Sequence, residues 1–188
     1  MIPQFRNWNK KVIDDMSIII FILLVIGLVI GYRRGVILQL LHLVGTISAI
    51  IISAMNYDTL SSKFDMIMPY PSTAQAVHNP LLPDLANTEY AFYDMTAFFI
   101  IFVITKILIQ VIVSAFDYLQ QINVFGVAGE IAGLILGLIE MIYVLTVIIF
   151  MLAIIPLEFI QNAIGESGLA TFIMEHTFIL SDKFIEWL

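Results

Sequence analysis

The sequence predicts an all-α membrane protein with four transmembrane helices, an amphipathic extramembrane loop and an amphipathic C-terminal tail. Three observations carry this expectation. Hydrophobic residues make up 61% of the chain, against ~45–50% in soluble domains, and the mean hydropathy is +1.00. They gather in uninterrupted blocks close to the ~20 residues that a helix needs to cross a bilayer. Prolines and acids collect instead in one stretch between the second and third blocks. At 188 residues the chain is expected to be a single membrane domain, 1–188.

The first span covers about 16–32 and stops at Arg33-Arg34-Gly35. A cleaved signal peptide carries a shorter apolar region and a small-residue cleavage site. Here two arginines end the run and a second block, 36–55, begins at once, so the first block reads as a permanent helix. So short a break predicts a tight antiparallel hairpin with Arg33 and Arg34 at its tip.

Residues 56–95 contain Pro69, Pro71, Pro80 and Pro83, and five acids (Asp58, Asp65, Asp84, Glu89, Asp94) against Lys63. That composition breaks helices and reads as an extramembrane loop. Within it, Leu60, Phe64, Ile67 and Met68 recur at helical spacing, which predicts a short amphipathic helix on the bilayer surface.

The third span covers about 96–116, with a helix start near Thr88. A connector from Asp117 to Val127 leads to the fourth, 128–155, closed by Pro156. Its length requires tilt or protrusion. The tail, 157–188, mixes apolar and acidic residues without a clean span, predicting interfacial amphipathic helices broken near Gly165-Glu166-Ser167-Gly168. Trp187 would serve as a headgroup-level anchor.

Two glycine series stand out. Gly27, Gly31 and Gly35 are spaced by four; so are Gly129, Gly133 and Gly137, with Gly126 three residues earlier. In lipid, helices gain little from hiding apolar side chains, so small residues that let backbones approach drive association. Both series are expected to be packing seams, within the chain or between subunits.

Polar residues inside the spans form the candidate site. Lys106 lies near the middle of the third span, where an ionised lysine costs ~2.5–3.5 kcal/mol. It lies ten residues from Phe116, and Glu140 nine residues beyond Ile131, so antiparallel neighbours bring the two to similar depth. An ion pair is therefore expected. Lys106, Gln110 and Ser114 follow at intervals of four, while Gln39, His42, Thr46 and Ser53 fall close to one stripe. One reading makes these a structural ion pair with register-fixing hydrogen bonds; the other makes Lys106, Glu140, Gln110, His42 and Gln39 the lining of a pathway for protons, ions or a small solute.

Other chemistries lack their residues. The sequence has no cysteine; the histidines His42, His78 and His176 lie far apart, and no H-E-x-x-H or P-loop motif occurs. Ser167 lacks the G-x-S-x-G spacing, and Asp14-Asp15 suits a helix N-terminus. Neither catalysis nor a cofactor is expected. A net charge of −7 with eight scattered Lys and Arg excludes a nucleic-acid partner. The expected partners are the lipid bilayer and a second copy or other membrane proteins.

Taken together, these residues resemble the CvpA family, the colicin V production proteins of bacterial inner membranes. One signature is Asp14 or Asp15 before a helix bearing Gly27 and Gly31, then Arg33-Arg34-Gly35. The other is the run from Asn123 through Gly126, Gly129 and Gly133 to Gly137. Where many relatives have an aromatic residue after the basic turn, this chain has Val36. The resemblance covers about residues 14–155, and the tail looks like that of shorter Gram-positive members. It implies a multi-pass inner-membrane protein linked to toxin production or export, or to envelope homeostasis; the polar seam leads to the reading of a small channel or transporter component. The alternative is a non-transporting scaffold that recruits membrane partners.

Orientation is divided. Arg6, Lys10 and Lys11 favour a cytoplasmic N-terminus, whereas Arg33 and Arg34 favour a cytoplasmic hairpin tip. Some members of the resembled family carry a C-terminal extracytoplasmic protease, which implies termini outside.

Overall fold

A computed structural model describes residues 3–71, 79, 81–82, 87–118, 125–177 and 180–187. His78, Pro80, Pro83, Asp84, Asn123 and the side chains of Asp14 and Trp187 lie outside the described residues. Everything described is helix, turn or irregular chain, with no strand. Three helices are long and apolar enough to cross a membrane: the segment Asp15–Ser61 of α1 (Pro3–Ser61), α2 (Thr88–Ser114) and α3 (Gly126–Ile154). Three shorter helices follow: α4 (Glu158–Glu166), α5 (Gly168–His176) and α6 (Leu180–Trp187).

The first two expected blocks therefore run together in α1, because Gly35 is the single non-helical residue between them. Gly35 has φ 71° and ψ 172°, a non-helical conformation inside α1 that is essentially restricted to glycine. Contacts with α3 reveal what this residue does. Before it, Gly27 and Gly31 pack on Gly137, Met141 and Gly133; after it, Gln39 and Thr46 both reach Glu140. A straight helix from 27 to 46 would be about 28 Å long and could not bring both ends to one turn of α3. The chain folds back at Gly35 into two antiparallel arms.

Asn87 fixes the start of α2: its side-chain oxygen accepts from the amides of Glu89 (3.0 Å) and Tyr90 (3.3 Å). This cap sets the helix eight residues ahead of the apolar block beginning at Thr96. At the same end of the bundle, α3 ends where Ile155 turns extended before Pro156.

Two expectations are corrected. In place of an amphipathic surface helix at residues 60–68, α1 continues to Ser61 and only a 3-10 turn forms at Phe64–Met66. Phe64 and Met68 pack against the core, while Met66 and Ile67 stay exposed. Nor is the tail only interfacial. Its apolar faces bury Ile164, Ala170 and Phe184 against the bundle. Phe184 lies between Phe98 and Phe150, with ring centroids 5.0 and 4.9 Å away. Ser17 and Ser167 hydroxyls meet at 3.0 Å, and those of Thr146 and Thr177 at 2.8 Å. The tail thus covers the end of the bundle opposite Gly35.

Candidate functional site

The site lies where the second arm of α1, α2 and α3 converge. On that arm Gln39, His42 and Thr46 follow at intervals of three and four, which places them along one helix face. Lys106 and Gln110 are likewise one turn apart on α2, and Glu140 is the midpoint of α3. The fold-back at Gly35 aims the first face at the other two.

Glu140 gathers the group. Its Oε1 pairs with Lys106 Nζ and accepts from Thr46 Oγ1 at 2.7 Å, while its Oε2 accepts from Gln39 Nε2 at 2.5 Å. Lys106 also donates to Thr46 Oγ1. The single Thr46 proton has two acceptors, Glu140 and the His42 carbonyl at 3.0 Å. Gln39, Thr46 and Glu140 are 1%, 0% and 9% exposed. In so dry a setting, attraction between opposite charges is strong, and these hydrogen bonds offset part of the lost hydration.

His42 extends the network: its Nδ1 lies 3.1 Å from Gln110 Oε1, so the Nδ1 proton is the one donated. His42 Nε2 and Gln39 Oε1 are buried without a hydrogen-bond partner. Ser53 and Ser114 do not join. Each bonds a backbone carbonyl of its own helix, Ala49 and Val111.

A cleft of about 220 Å³ adjoins the ion pair. Arg34, Gln39, Lys106 and Glu140 form its polar wall, and Gly27, Ile30, Met141 and Val144 most of its apolar one. Arg34 is half-buried there, whereas Arg33 at the same tip is exposed. Among the described residues no group of three His, Asp or Glu forms a donor set for a metal ion.

The glycine series are brought together within the chain. A Cβ on Gly31 would lie 2.8 Å from Gly137 Cα, and one on Gly133 would lie 2.7 Å from the Gly35 carbonyl carbon. Such spacing leaves no room for any side chain and seats the first arm directly on α3. Gly129 faces Phe125 and Val36 at the seam's end. Gly126 stands apart: open space surrounds it, and its φ of 55° starts α3. Sequence reasoning put Thr46 on the polar stripe without giving it a role, and took Arg34 only as a tip residue; the fold-back angle that turns both inward leaves no trace in spacing.

The sequence profile of the colicin V production protein family matches residues 16–177, most of the chain. The chain belongs to that family. The curated proteins include a relative 32% identical over 167 residues, 88% of this chain and 93% of its own length: the uncharacterized transmembrane protein YshB of Bacillus subtilis (strain 168). No solved structure matches the chain. As a colicin V production family protein with three long apolar helices, it is a membrane protein. The profile spans both glycine series, the whole polar network and the tail through α5.

Proposed function

We propose that this protein is a four-crossing bacterial inner-membrane component that moves an ion or small solute in support of toxin export or envelope homeostasis. The observation behind this is the Lys106–Glu140 pair, Glu140 buried at the middle of α3 and Lys106 half-buried, with Gln39 and Thr46 bound to it and a cleft beside it. Ionisable residues that deep in a membrane protein mark substrate and ion paths as a rule. Four crossings follow if each arm of α1 spans the bilayer, since Asp15–Ser61 as one straight helix would be about 70 Å long against a ~30 Å hydrocarbon core. The arginine pair at the tip favours that end in the cytoplasm, with both termini outside. No catalytic step enters this reading.

Beyond the ion pair, Phe98, Phe102, Leu145, Ile149 and Phe150 fill the bundle, each at most 3% exposed. An open pore through one chain does not fit so dense a filling; a gated site reached from the hairpin side does. The same filling favours a second reading, a non-transporting module that recruits membrane partners through its outer surface.

Reconstitution in vesicles separates the two. Ion and solute flux is expected from the wild type and is expected to fall in Lys106→Ala. Absence of flux under every gradient, with a stable partner copurifying, decides for the module.

A further inference from the structure

Arg34 has charge to spare. Among the described residues it makes no hydrogen bond or ion pair, and the acids acting on it are Glu140, already held by Lys106, and the exposed Asp117. The cleft's charged lining, Arg34 and Lys106 against Glu140, therefore carries one positive charge in excess. Much of the rest is apolar. Ile30, one wall, is also 37% exposed, so the cleft reaches the surface of the bundle. Arg34 itself sits between the two apolar blocks, at the level of lipid headgroups.

A soluble anion would satisfy the guanidinium and leave the apolar wall unmatched, while water fits walls with few polar partners poorly. Basic pockets between membrane helices take anionic headgroups. We propose that the cleft seats one anionic phospholipid, its phosphate on Arg34 and the start of an acyl chain along Ile30, Met141 and Val144. The inference requires the cleft alone and holds whether or not anything is transported.

Native mass spectrometry of the full chain in neutral detergent tests it, using phosphatidylglycerol against phosphatidylcholine as probes. Wild type and Arg33→Gln are expected to retain phosphatidylglycerol selectively, and Arg34→Gln to bind it at least about five-fold more weakly. Equal losses in Arg33→Gln and Arg34→Gln indicate diffuse surface attraction and overturn the proposal, as does wild-type retention by Arg34→Gln. Displacement of the lipid by excess inorganic phosphate makes this a soluble-anion site and overturns the lipid as its source. If Arg34→Gln misfolds, Ile30→Trp fills the lipid-side wall with both arginines intact; selective loss supports the seat, and full retention overturns it. Vesicle flux plays no part in this readout, so the two proposals fail separately.

Discussion

Lys106 and Glu140 each depend on the other being present. Removing one leaves a buried charge without its counterion, which costs ~3–5 kcal/mol in such pairs. Lys106→Ala and Glu140→Ala are each expected to lower stability by that order, and the double variant by clearly less than their sum; unfolding titrations in detergent measure this. Additive losses would show that the pair contributes nothing as a pair. Much of this site was legible in the sequence, because helix rise converts residue counts into depth and two opposite charges at one depth in hydrocarbon have few other partners. The same two residues meet in the structure. Thr46 was harder to weigh: a threonine in a membrane helix commonly bonds its own i−4 carbonyl, and this one does so while also reaching Glu140. Only tertiary placement distinguishes it from Ser53, which bonds nothing but its own helix.

Among the elements, α1 contains the expected antiparallel hairpin, and Gly35 makes its turn. Its φ of 71° with ψ of 172° lies in a region that a Cβ makes unfavourable by ~1–3 kcal/mol. Gly35→Ala has open space for the methyl group, so the whole expected loss is backbone strain of that order. Equilibrium unfolding reads it, and an unchanged stability would mean that the fold-back tolerates another conformation. The glycine spacing was visible in the sequence, as was the presence of a break; which glycine packs and which bends was not. Gly31 and Gly133 meet backbone to backbone, whereas Gly35, at the same spacing of four, bends the chain, as does Gly126. The short surface helix expected at 60–68 failed for a related reason. Periodicity was real there, but Phe64 and Met68 found the bundle instead of the bilayer.

For the molecule as a whole, the tail closes one end. Amphipathic periodicity in residues 157–188 was legible, but an apolar face has the same pattern whether it meets lipid or protein, so its docking was not. With no native cysteine in the chain, an introduced pair tests the docking. Ser17→Cys with Ser167→Cys, whose hydroxyls touch at 3.0 Å, is expected to form an intrachain disulfide under mild oxidation. A gel shift on reduction detects it, and no crosslink in the membrane-embedded protein would mean that the tail stands away from α1. The glycine seam bears on the molecule's surroundings too. Because the flat, side-chain-free stripes of the first arm and α3 close on each other, any neighbour in the membrane meets a rind of branched aliphatics such as Ile18, Ile22, Val29, Ile104, Val111 and Ile135. Such knobbly flanks keep a companion helix at arm's length, so assembly there is left to the fit of bulky side chains and to bilayer thickness.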